Sequence, residues 1–156
     1  MSPSLCRLLA SGLGAGRCPA APGTAGTLAA VPLAWGLAHL PAAAHAIFLL
    51  AALPVAAWVC GRAARTDERT DPEWIVLDEI VGYCYAVALL PATPGVLALG
   101  FALFRLFDIV KPPPVGWLDR RVSGGWGILL DDVAAGLMTR VVFAVIPWML
   151  PIGGGT

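Results

Sequence analysis

The chain has 156 residues, of which 58% are hydrophobic and 13% charged, with a net charge of zero. A soluble globular domain carries about 25% charged residues, so a chain this apolar, with a mean hydropathy of +0.80, points to a bilayer. The zero balance excludes a nucleic-acid partner, which needs a basic excess, and the length suits a single domain, 1–156, and not two.

Five apolar stretches follow in chain order, at 27–40, 42–61, 75–90, 95–107 and 133–152. A spanning helix needs ~20 residues and tolerates ~17. The second and fifth stretches reach that length alone. The third reaches it only if its helix begins near Pro72. The first and fourth are short enough to tilt, half-insert or pack against the others. Ahead of them, Gly and Pro interrupt the residues after Arg7 too soon for a signal peptide.

Local signals set the expected boundaries. Thr27 reads as the cap of the first helix. Asp71-Pro72-Glu73 offers an Asp cap, a Pro at the first helical position and an acid in the first turn. That start places Asp78 and Glu79 in the second turn, too late to cap. Pro112, Pro113 and Pro114 stop the fourth helix, and Pro54 and Pro147 predict kinks. The four cysteines show no pairing pattern, and Cys60 and Cys84, within apolar runs, read as small buried apolar residues.

Charge placement predicts a topology. Arg7 and Arg17, then Arg62, Arg65 and Arg69, then Lys111, Arg120 and Arg121 occupy alternate connections. The intervening connections near 40–45 and 91–94, and the tail at 153–155, hold no Lys or Arg. The basic side is the cytoplasmic one, with the N-terminus inside and the C-terminus outside. Asp78 and Glu79, Asp108, Asp131 and Asp132, and the turn at 24–27 then all fall on that side. His39 and His45 fall on the other, with no partner pattern.

Carboxylates beside apolar helices are expensive and mark function. Two acidic pairs on different helices suit Mg²⁺, which takes oxygen ligands and keeps open positions for water and phosphate. An ion-pair network with Arg62, Arg65, Arg120 and Arg121 is the structural alternative. Ala21 to Thr27 (APGTAGT) reads either as a phosphate cradle built from Thr24, Gly26 and Thr27 or as a capped helix after a turn. Lys111 shares a helical face with Asp108 and suits a phosphate oxygen. Arg120 and Arg121 read as headgroup contacts or as topology charges. Arg140, two turns beyond Asp132, reads as its partner or as a snorkelling side chain. A small membrane transporter using the same carboxylates is the rival function, although acids at one end of the spans do not mark a path across.

Four segments together resemble the phosphatidylglycerophosphatase A family: 21–27 (APGTAGT), 78–82 (DEIVG), 104–112 (FRLFDIVKP) and 119–136 (DRRVSGGWGILLDDVAAG). Each is weak alone, and in this order they are specific. The resemblance implies an all-α, compact bundle of about six helices, several membrane-embedded. It implies a Mg²⁺-dependent enzyme of the bacterial inner membrane, multi-pass and facing the cytoplasm, that hydrolyses phosphatidylglycerophosphate to phosphatidylglycerol and phosphate. The site expected on this basis has Asp78, Glu79, Asp131 and Asp132 as metal ligands and Asp108 as a further ligand or base. Lys111, Thr24, Gly26, Thr27, Arg120 and Arg121 are expected around the phosphate, with membrane lipids as partners.

Overall fold

A computed structural model describes residues 2–67 and 72–149. All regular structure among them is helical: α1 (Pro3–Ala10), a 3-10 helix (Gly12–Arg17), α2 (Pro22–Leu37), α3 (Ala42–Ala64), α4 (Leu77–Ala86), α5 (Pro94–Val110), α6 (Val115–Arg121) and α7 (Gly124–Met149). The all-α expectation holds. The short α1 and the 3-10 helix, both ahead of the first apolar stretch, and α6, in the connection after the fourth, are the elements that the apolar pattern did not announce. None of the four cysteines is in a disulfide.

Several boundaries moved, each for a local reason. α2 starts at Pro22, where the fixed φ of proline suits the first turn, so Thr27 is not a cap. It lies inside the helix, wholly buried, and its hydroxyl donates to the Gly23 carbonyl at 2.9 Å. α4 starts at Leu77, not near Pro72. Residues Pro72 to Ile75 form a turn, and the Val76 amide is taken by the Ala10 carbonyl at 2.8 Å, which holds this segment against α1. Asp78 and Glu79 therefore stand in the first turn of α4. The proposed cap Asp71, the topology charge Arg69, the end of the fifth stretch at 150–152 and the tail at 153–155 lie outside the described residues.

α5 is capped by Thr93, whose hydroxyl accepts from the Val96 amide at 3.3 Å. It ends at Val110, with Lys111 at φ 49° ahead of the proline run. α3 runs through Pro54 as one helix. Among the described residues it is the one helix long and apolar enough to cross a membrane. The ten residues of α4 rise only ~15 Å, about half of a ~30 Å hydrocarbon core, so the third stretch does not form a span.

α4 sits at the centre, packed on α2, α3, α5 and most extensively on α7. Gly82 and Gly136 make that crossing close. A Cβ on Gly82 would overlap the Asp132 carbonyl, and one on Gly136 would overlap the Gly82 carbonyl. Gly82 lies one helical turn after Asp78, and Gly136 one turn after Asp132. The same crossing that buries the glycines therefore brings the two acidic pairs side by side. Tyr83, Phe104 and Leu129 fill the interior, and the Tyr83 hydroxyl donates to the Leu97 carbonyl at 2.8 Å.

The outside is apolar where a soluble bundle would be charged. Ile47, Leu50 and Val55 on α3, Leu106 on α5, and Leu137 and Val141 on α7 are all exposed. Contiguous apolar surface of this kind marks a membrane or partner contact. Three arginines lie over tryptophans: Arg7 over Trp74, Arg62 over Trp58 and Arg121 over Trp117, at 5.1, 6.0 and 5.9 Å from the ring centroids. Arg62 belongs to the last turn of α3, beside the packed cluster that joins α1 to the segment before α4.

Candidate active site

The start of α2, the turn before α4, the first turn of α4, the end of α5 and the second turn of α7 enclose a polar cleft of about 310 Å³. Its wall carries Asp78 and Glu79 from α4, Arg105 and Asp108 from α5, Lys111 from the α5 cap, and Asp131 and Asp132 from α7. Ala21, Pro22 and Gly23 close one side, and Pro72, Glu73 and Ile75 another. Sequence pattern alone placed the five carboxylates and Lys111 on one side of the molecule; the fold gathers them in one cavity.

The carboxylates are concentrated and poorly neutralised. Oxygens of Asp78, Glu79 and Asp132 lie within 4.8 Å of one another. Asp78 Oδ1, Glu79 Oε2 and Asp131 Oδ1 are buried and have no hydrogen-bond partner. Buried polar atoms are normally paired, and an unpaired one marks a missing ligand or water. Burial, and then the neighbouring charges of Glu79 and Asp132, hold the Asp78 carboxyl well above the usual carboxylate range. Burial likewise pushes Glu79 up to about 7, against its hydrogen bond to Asp78 and the Arg105 charge. An added cation relieves this repulsion, and hard oxygen donors in this number suit a divalent one. The residues present therefore fit a metal.

Two cations serve the cleft. Lys111 Nζ donates to Asp131 Oδ2 at 2.8 Å and to Asp119 Oδ1 at 2.5 Å. Burial opposes its charge, but these two hydrogen bonds prevail and hold its pKa above the ordinary lysine value. Arg105 Nη1 donates to Asp108 Oδ2 at 2.5 Å and stands 3.9 Å from Glu79 Oε1. Its Nε is buried without a partner. Gly23 lies against this pair: a Cβ there would overlap Glu79 Oε1 and approach the Arg105 guanidinium.

Other expected residues stand elsewhere. Thr24, Gly26 and Thr27 do not line the cleft. Gly26 is packed on the Val76 side chain, where a Cβ would collide. The start of the same helix, at Ala21 to Gly23, faces the cleft instead, and no side chain caps it. Arg120 and Arg121 are exposed on α6, outside the cleft wall. Arg140 does not pair with Asp132; its Nε donates to the Ala88 carbonyl at 3.0 Å. Gly23, Arg105 and Asp119 are the contributors that pattern reading missed. The three-residue spacing of Arg105 to Asp108 was visible but reads equally as mutual neutralisation. Asp119 is eight residues from Lys111 and joins it only because the chain turns between α5 and α6.

A model of the phosphatidylglycerophosphatase A family matches residues 8–147. The chain belongs to that family. It is 35% identical over 147 residues to the phosphatidylglycerophosphatase A of Escherichia coli (strain K12), covering 94% of this chain and 86% of that one. It is 38% identical over 148 residues to the protein of the same name in Haemophilus influenzae, covering 92% and 90%. A Bacteroides thetaiotaomicron protein with the provisional name phosphatidylinositol-3-phosphatase is 35% identical over 150 residues, covering 92% and 94%. No solved structure matches the chain. Membership makes it a phosphatase, a phosphoric monoester hydrolase, and sets aside the transporter reading.

Proposed function

We propose that the protein hydrolyses phosphatidylglycerophosphate to phosphatidylglycerol and inorganic phosphate, with Mg²⁺, as a step of phospholipid biosynthesis at the bacterial inner membrane. The observation that carries the metal-dependent chemistry is the set of buried, unpartnered oxygens on Asp78, Glu79 and Asp131 beside Asp132. Family membership supports the substrate. The exposed apolar faces and the crossing helix α3 support a membrane-embedded domain, multi-pass, with the cleft on the cytoplasmic side. The Arg–Trp contacts support that placement, because tryptophan favours the headgroup level and arginine the cytoplasmic side.

Asp78, Glu79, Asp131 and Asp132 are the ligands in this reading. The bound Mg²⁺ would supply charge neutralisation and polarise the phosphoryl group. Lys111, steadied by Asp119 and Asp131, holds a phosphoryl oxygen as a charged donor. Arg105 offers a second cation, and the uncapped start of α2 at Gly23 offers backbone N–H groups to the same phosphate. Thr24, Gly26 and Thr27 set the position of that helix start; Arg120 and Arg121 hold the headgroup region of the membrane. Asp108 orients the attacking water and takes its proton as the water oxygen bonds to phosphorus. The bond from phosphorus to the glycerol oxygen breaks, and that oxygen leaves with a proton returned from the cleft. Positioning and charge stabilisation do most of the work in such a reaction.

The test is phosphate release from phosphatidylglycerophosphate in mixed micelles by the purified protein, with Mg²⁺ and with a chelator. Release with Mg²⁺ and its loss on chelation are expected. Equal release in both conditions would remove the metal, and no release in either would remove the substrate.

A further inference from the structure

A second cavity of about 310 Å³ lies between α2, α3 and α4, and its wall is wholly apolar. Leu33 comes from α2, Phe48, Ala52 and Val55 from α3, and Ile80 and Cys84 from α4. The trough exists because α3 presents alanines to α4 where larger side chains would fill the space. It begins at Leu77, the residue before Asp78, and runs along α4 to Cys84, a length of ~10 Å at 1.5 Å per residue. The polar cleft and the apolar trough thus start from the same helical turn on adjoining faces of α4.

We infer that this groove seats one acyl chain of the phospholipid whose phosphomonoester occupies the acidic cleft. The inference rests on the lipid substrate proposed above. Three observations fix the occupant. No charged side chain lines the wall, which excludes a headgroup or a peptide with polar ends. The groove and the cleft adjoin on α4, where Leu77 lines one and Asp78, the next residue, lines the other, so one molecule with a polar end and an apolar end suits both. Leu33, Phe48 and Val55 line the groove and are exposed, so a chain reaches it sideways from the hydrocarbon without crossing water. Open apolar space of this size is filled by an apolar ligand and not by water. Moving a chain from lipid tails into a groove of leucine, valine and alanine changes little hydrophobic free energy. The groove therefore acts on orientation, aligning the phosphate with the carboxylates, more than on affinity.

The experiment compares kcat/KM for dipalmitoyl and dibutyryl phosphatidylglycerophosphate in the same detergent micelles. The unsubstituted protein should prefer the long chain. Ala52→Phe, which fills the trough, should lower the long-to-short ratio by about tenfold or more, since an ångström of misplacement costs up to about a hundredfold. Leu50→Phe, on the outer face of α3, should keep the ratio. An unchanged ratio in Ala52→Phe overturns the inference while leaving the proposed reaction standing. A second measurement uses the unsubstituted protein and a phosphatidic acid carrying a mid-chain diazirine, so it depends neither on turnover nor on the folding of a variant. Cross-links at Phe48, Ala52 or Val55 that excess unlabelled phosphatidic acid removes, and phosphatidylcholine does not, support the groove. Cross-links that both lipids compete equally are those of surrounding bilayer lipid and overturn it. If neither phosphatidylglycerophosphate is hydrolysed, the proposed function fails and the cross-linking result alone decides the groove.

Discussion

The polar cleft and the apolar groove are equal in volume and both are walled by α4, yet they were unequally visible before the fold was known. The cleft gathers charged side chains, each rare in an apolar chain and each separately conspicuous. The groove is made by residues that are missing bulk: Ala51, Ala52 and Ala56 are unremarkable in a helix that is apolar all round. Charge announces itself at one position, whereas a hollow depends on which helix faces which. The comparison assigns chemistry to one cavity and alignment to the other, and it can be broken from either side.

The largest effect should follow loss of a carboxylate from the buried cluster. Asp132→Asn keeps the volume and removes the charge among Asp78, Glu79 and Asp108. It should lower kcat/KM by about 10²–10³-fold, as removal of an electrostatic stabiliser does, for long and short substrates alike. Its Mg²⁺ requirement should move to higher concentration. Near-normal turnover, or a loss confined to the long-chain substrate, would collapse the division between the two cavities.

Lys111→Met should cost about 10- to 100-fold in kcat/KM, the equivalent of one hydrogen bond to a charged group. Lys111→Arg should recover part of it. Because the substitution also leaves Asp131 Oδ2 without its donor, a phosphate-release assay needs product inhibition beside it. A phosphate-binding lysine raises the inhibition constant for inorganic phosphate when lost; one that only steadies Asp131 leaves that constant alone.

A smaller effect should appear in stability against pH. Glu79 has its pKa raised from 4.5 to about 7, so the folded protein holds this proton more tightly than the unfolded chain does. For such a group folding is favoured below pH 4.5 and weakened as pH rises from there to about 7, beyond which the penalty stays constant. Without metal, wild type should therefore lose Tm relative to Glu79→Gln between pH 5 and pH 8, in the same detergent. Mg²⁺ should raise the wild-type Tm more at pH 8 than at pH 5. The groove has no part in this, so Ala52→Phe should show the wild-type trend. A wild-type protein that gained Tm relative to Glu79→Gln at pH 8 would reverse the electrostatic account.

Much of the site was legible because its chemistry is local in type. Asp78, Glu79, Asp108, Lys111, Asp131 and Asp132 stand out by residue kind, and alternate placement of Lys and Arg orders them on one side before any packing is known. What escaped was register and tertiary contact. The Asp-Pro-Glu signal at 71–73 describes a good helix start, but Val76 gives its amide to Ala10, and the helix waits until Leu77. That is tertiary pairing overriding a local preference. Thr27 has the residue type of a cap, but Pro22 five residues earlier starts the helix first. Gly82 and Gly136 carried no meaning singly; only their mutual contact shows that they set the distance between the acidic pairs. Asp119 was hidden for the same reason, since its partner lies across a turn.

The smallest effect belongs to Arg121, which the sequence places near the phosphate and the fold places on Trp117, outside the cleft. An exposed cation–π contact is worth about 0.5–1 kcal/mol, so Arg121→Ala should change kcat/KM in micelles by less than about fivefold. Its contribution should appear on charged membranes, where an arginine near an anionic surface adds about 1 kcal/mol of attraction. Binding of the variant to vesicles rich in phosphatidylglycerol should weaken at low salt, and the difference from wild type should shrink as salt screens the surface. A loss above tenfold in micelles with vesicle binding intact would instead return Arg121 to the phosphate. It would then require α6 to turn this side chain towards the cleft when the lipid is bound.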